Sequence, residues 1–170
     1  HAERPKILRV NPETLEIQAE IALDKAGFGV VLDDDANRLY VGNARDASIS
    51  VIDTQNNQLI KTITVTDNSK NDQGQEVARY GLRELVLDKA NHRLYAPGHG
   101  YPHQSVLFVI DTETDTVIHT VPDVGYIATG IALDSKGKRI FLSEFTGQIY
   151  VVDTETLKVQ THYDSGADQP

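Results

Sequence analysis

Cationic and aromatic residues lie close together at several points of the chain: Arg79 beside Tyr80, Arg83 beside Glu84, and Lys25 three residues before Phe28. A guanidinium next to a flat ring suits a planar or anionic ligand, because one supplies charge and the other a stacking face. Asn43 with Arg45, and Tyr126 with Thr129, bring further hydrogen-bonding groups near turns. Other chemistry is harder to build. His99 and His103 are four apart, a spacing that converges on a metal along a helix, whereas the glycines and proline of Gly98-His99-Gly100-Tyr101-Pro102-His103 make a loop. Asp67-x-Ser69-x-Asn71 opens like a calcium loop, but Gly74 and Glu76 fall at the wrong positions for one, so a solvated insertion is expected. Gly27-Phe28-Gly29 lacks the third glycine and following helix of a dinucleotide site, and there is no Gly-x-Ser-x-Gly elbow or Walker loop. The absence of cysteine excludes disulfides, thiolate zinc sites and cysteine nucleophiles. Carboxylates are plentiful, yet the obvious ones sit in turn-like stretches, and order along the chain singles out no acid–base pair. No catalytic residue, metal or cofactor is expected.

The elements that must position these groups repeat. Val31-Leu32-Asp33 through Arg38-Leu39-Tyr40, then Ser48 to Thr54, recurs as Val86-Leu87-Asp88 through Arg93-Leu94-Tyr95, then Val106 to Thr112. A third copy runs Ala132-Leu133-Asp134 through Arg139-Ile140-Phe141, then Gln148 to Thr154, and a partial one opens the chain at Ile7 to Leu15. Asn11, Asp53, Asp111 and Asp153 mark the same point in each, at intervals of 42, 58 and 42 residues. Runs such as Leu59 to Val65 alternate apolar and polar residues with β-branched content, the signature of half-buried strands. Asp, Asn, Gly and Thr clusters between them are turn chemistry. A unit of about 42 residues with four short strands has the size of a propeller blade. The reading is an all-β chain without sustained helix: an outer half-blade at 6–23, a blade at 24–66, a polar insertion at 67–79, blades at 80–121 and 126–163, and a tail at 164–170.

The Leu39-Tyr40-Val41-Gly42-Asn43 and Val51-Ile52-Asp53-Thr54 segments resemble the YVTN repeat of seven-bladed β-propellers found in surface-layer and periplasmic proteins, and the likeness extends to the periplasmic YncE-like group. Lys25 to Gly29, Leu82 to Val86 and Thr129 to Asp134 resemble the segments that open successive blades there. The resemblance implies a partial propeller of about three and a half blades and a periplasmic or secreted location. It implies a scaffold more than an activity. A half-ring would expose apolar faces and strand edges, so completion by a further chain segment or a second copy is expected. The chain opens at His1 without an initiator methionine or signal peptide, as a processed or trimmed chain would.

In a propeller the tight Asp-rich turns share one end of the sheets and the longer loops the other. Lys25, Phe28, Asn43, Arg45, Arg79, Tyr80, Arg83, Glu84, Tyr126 and Thr129 all fall at the loop-rich end, where a rigid scaffold usually displays its site. The plainer alternative packs Phe28 and Tyr80 between blades and pairs Arg83 with Glu84. With 170 residues, 39% hydrophobic, 24% charged and a net charge of −9, the chain is globular in composition, and no apolar run is long enough to insert into a membrane. The leading expectation is a non-enzymatic extracytoplasmic scaffold binding a protein or a small anionic or planar ligand. Single-stranded nucleic acid is the first alternative, which the negative charge disfavours. A quinone-dependent dehydrogenase relative is the second, disfavoured by the lack of tryptophan.

Overall fold

The computed structural model describes residues 4–66, 70, 73–74, 80–100 and 105–166. Its strands form four antiparallel sheets, each built from chain-consecutive strands. The first has two, β1 (Lys6–Val10) and β2 (Ile17–Ala22). The second has four: β3 (Gly27–Asp33), β4 (Arg38–Asn43), β5 (Ser48–Asp53) and β6 (Gln58–Thr64). In the third, two short strands, β7 (Gly81–Leu82) and β8 (Val86–Asp88), share one edge of β9 (Arg93–His99), followed by β10 (Val106–Asp111) and β11 (Thr116–Val121). The fourth comprises β12 (Ala128–Asp134), β13 (Arg139–Glu144), β14 (Gln148–Asp153) and β15 (Val159–Asp164).

Register reproduces the sequence repeat. Arg38 pairs with Asp53, Arg93 with Asp111 and Arg139 with Asp153. A bulge falls just before the corner in every sheet, at Arg9/Val10, Val51/Ile52, Val109/Ile110 and Val151/Val152. The corners explain the acidic residues. Asp53 Oδ1 accepts from the amides of Gln55 and Asn56, Asp111 from Glu113 and Thr114, and Asp153 from Glu155 and Thr156. Asn11 does the same for Glu13 and Thr14. Four residues after each, the backbone turns left-handed, at Leu15, Asn57, Asp115 and Leu157. The turns after Asp33, Asp88 and Asp134 repeat the device, with left-handed Asn37, His92 and Lys138. A side-chain acceptor that replaces a main-chain partner is why Asp and Asn occupy these points.

The sheets stack face to face in chain order. Between the second and third lie Tyr40, Ile49, Val51, Leu82, Leu94, Phe108 and Ile110. Between the third and fourth lie Tyr95, Leu107, Val109, Ile140, Leu142 and Val152. Successive residues of β10 thus serve opposite interfaces, and β4, β5, β9 and β10 are buried along most of their length. Each large side chain enclosed this way contributes about 1.5–3 kcal/mol. This is a partial β-propeller. One local departure from the sequence reading is the inner edge of the third sheet. Residues 83–85 interrupt it between β7 and β8, and a single 3-10 turn at Lys89–Asn91 replaces a plain tight turn.

Candidate functional site

The two ends of the sheets are chemically distinct. At the turn end, the amides of Thr54, Thr112 and Thr154 donate to the carbonyls of Asn37, His92 and Lys138, tying the two turns of each sheet together. Charge there is neutralised in place. Asp115, largely buried, accepts from Arg38 and Lys61 of the preceding sheet at 3.0 and 3.2 Å. Lys89 joins Asp34 and Asp35 across the same interface. Main-chain amides hold the carboxyls of Asp53, Asp111 and Asp153 below the ordinary range, with the donor of Asn56, Thr114 or Thr156 the largest contribution. Asp33, Asp34 and Asp35 converge closely, but two of the three already face Lys89. This end is structural.

The loop end gathers the sequence candidates with different outcomes. The carbonyl of Arg83 approaches Gly29 so closely that a Cβ there would lie 1.8 Å from the oxygen, so β3 admits only glycine at this point. That approach seats Phe28, 62% exposed, beneath the Arg83 guanidinium, 5.7 Å from ring centroid to carbon. The interruption between β7 and β8 is what frees Arg83 and Glu84 to solvent. His99 lies nearby with Nδ1 2.9 Å from the Gly81 carbonyl; burial, reinforced by the Arg83 charge, pushes its pKa down. Lys25 pairs with Asp46, whose hydrogen bond holds the ammonium charged. Arg45 is exposed, Tyr126 is exposed and Thr129 is half-buried.

Two candidates are corrected by their surroundings. Tyr80 is buried and packs edge-on against Phe108 at 5.3 Å, so its ring builds the core between sheets instead of a ligand platform. Asn43 is fully buried. Its amide donates to Ser48 and Ser50 at 2.8 and 3.1 Å, holding the β4–β5 turn together. Arg79 and His103 lie outside the described residues, as does most of the 67–79 insertion.

Two further residues shape this end. Buried Ser105 accepts from the Ala128 amide at 2.8 Å and donates to the Tyr126 carbonyl, so it locks the loop that presents the Tyr126 ring. Glu144 occupies the position in its sheet that Asn43 has in the second. Burial pushes its pKa up, but the hydroxyl and amide of Thr146 and the amides of Gln148 and Tyr126 outweigh this and keep it ionised. Beside it Phe145 projects into solvent. The loop end therefore offers an Arg83–Phe28 stack, with Tyr126 and Phe145 on the following sheet, and no nucleophile–base pair among the described residues.

No family model matches the chain. It is similar to YncE of Escherichia coli O157:H7, 30% identical over 153 residues, which is 90% of this chain and 42% of that protein. YncE of Salmonella typhi is 32% identical over the same shares, and that of Escherichia coli K12 is 29% identical. The chain thus spans 42% of the length of these relatives. Among solved structures, hydrazine synthase of Kuenenia stuttgartiensis superposes with a TM-score of 0.77 at 20% identity, covering 92% of this chain and 42% of that one. At that identity the likeness concerns the fold.

Proposed function

For a chain homologous to YncE and folded as a partial β-propeller, we propose a non-enzymatic, extracytoplasmic scaffold that binds an anionic, planar ligand or a partner's equivalent group at the loop end. The observation that carries this is the solvent-facing stack of Arg83 on Phe28. The pair faces solvent with both its charge and its ring plane available, and it is built by a glycine-only contact between two sheets. The ligand would meet the guanidinium with its charge and the ring with its plane. Tyr126, held by Ser105, supplies a second aromatic face. The extracytoplasmic part rests on the repeat resemblance.

The test is a titration followed by amide NMR with two probes: benzene-1,3-dicarboxylate and an oligothymidylate. The reading expects saturable shifts at Phe28, Arg83 and Tyr126 with the carboxylate, lost in Arg83→Ala. Preferential binding of the oligonucleotide with a steep salt dependence would transfer the assignment to nucleic acid. No shift at these residues with either probe would overturn it.

A further inference from the structure

The residues that close β4, β9 and β13 stand at the same point of their sheets, yet they are committed differently. Asn43 donates to Ser48 and Ser50, and Glu144 accepts from Thr146 and Gln148, so both are spent on the hairpin turn that follows them. His99 reaches the other way. Its Nδ1 lies 2.9 Å from the carbonyl of Gly81, the residue opposite it on β7. A carbonyl can only accept, so Nδ1 carries the proton and Nε2 is the basic nitrogen. Nε2 has no partner among the described residues, and the ring is only half-buried, so a proton from solvent can reach it.

The ring is also held in place. A Cβ on Gly81 would stand 3.0 Å from His99 Cε1 and would collide with the Ala44 carbonyl, so the imidazole lies on bare glycine backbone with the second sheet behind it. Two residues after Gly81 the chain has left β7 and presents Arg83 on the Phe28 ring. The imidazole is thereby anchored to the strand that leads into the exposed cation–aromatic pair. The titratable groups around it are few. Its own sheet contributes Arg83, exposed Glu84 and the Tyr80 phenol, whose ring packs on Phe108. On the second sheet Arg45 and Asp46 follow Ala44, Arg45 exposed and Asp46 paired with Lys25. The chain entering β10 brings Ser105 and Val106, which carry no charge. Burial, and after it the Arg83 charge, holds His99 neutral at pH 7.

The same repulsion runs in reverse when an anion neutralises the guanidinium. We propose that His99 couples the Arg83–Phe28 site to protons: an anion bound on Arg83 draws a proton from solvent onto Nε2, and the site therefore binds anions more tightly in mildly acidic solution than at neutral pH. The coupling rests on the anion-binding reading of that pair, and it is reciprocal. The factor by which protonation tightens binding is the factor by which the anion raises the proton affinity of His99. Because Arg83 is exposed and screened, that factor is modest, about three- to tenfold.

Benzene-1,3-dicarboxylate is titrated into the 170-residue protein at steps between about pH 8 and pH 5.5, the window in which histidine is the side chain that changes charge. Amide shifts at Phe28 and Arg83 give the dissociation constant, and the His99 Cε1–H resonance reports protonation with and without the probe. The expected result is binding about three- to tenfold tighter at the acid end, with the His99 midpoint raised by the matching amount. His99→Gln is expected to flatten the pH profile. With no probe present, Arg83→Ala is expected to raise the His99 midpoint, which reads the coupling apart from any ligand. Binding of equal strength across the range, or a His99 midpoint indifferent to the probe and to Arg83→Ala, would overturn the coupling and leave the site itself standing. No shift at Phe28 or Arg83 at any pH would overturn both.

Discussion

The turn end and the loop end of the same sheets are made from the same strands, yet only one of them repeats. At the turn end each of the three larger sheets carries an aspartate acceptor at the same offset, a left-handed residue four positions later, and the same tie between its two turns. At the loop end the corresponding strand tips carry Asn43, His99 and Glu144, with three different sets of partners. Repetition marks what every sheet needs in order to stack. Divergence marks where the sheets are free to differ, and the exposed cation–aromatic pair is found there.

The sharpest way to break this contrast is through the interface common to both ends. Phe108→Ala empties a fully buried site beside Tyr80 and is expected to cost about 3–5 kcal/mol in urea unfolding, disabling both ends together. Arg93→Ala removes the 2.7 Å clip to the Thr154 carbonyl and is expected to cost about 1–2 kcal/mol, while leaving amide shifts at Phe28 and Arg83 in place. Its counterpart at the loop end, Arg83→Ala, is expected to change stability by less than about 0.5 kcal/mol and to act on binding alone. A larger stability loss from Arg83→Ala than from Arg93→Ala would invert the assignment of the two ends.

Acid separates the ends as well. The pKa of His99 is lower in the folded protein than in the unfolded chain, so the unfolded chain takes up the proton first. Stability present at neutral pH should therefore decline as pH falls through about 6.5, and level off once native His99 is protonated too. The corner aspartates are displaced downward too, from a lower starting value: their contribution is present above about 4 and is lost as pH falls through their lowered folded values. His99→Gln is expected to remove the first decline and leave the second, as read by the unfolding midpoint at successive pH values.

Much of the architecture was legible in order alone. The repeated Asp-to-Arg and Asp-to-Thr offsets marked the unit, its short strands and its turns, because a two-residue strand period and a turn needing a side-chain acceptor leave few solutions. The Tyr80 misplacement shows where such reading stops. Tyr80 and Phe28 both precede or open an inner strand and both are aromatic, yet one lies on Phe108 and the other in solvent. Nothing in the spacing distinguishes them. Ser105 is equally silent, since a serine at the start of β10 is unremarkable until the loop at Tyr126 folds onto it.

The sequence by itself determined the repeating unit: four strands, their turns, and the polar residues that close them, all set by contacts a few residues long. Only the tertiary structure decided which side chains face water, because that depends on how one sheet lies against the next. The approach of the Arg83 carbonyl to Gly29 and the reach of Arg93 to Thr154 join residues more than fifty positions apart, and no local pattern encodes their distance.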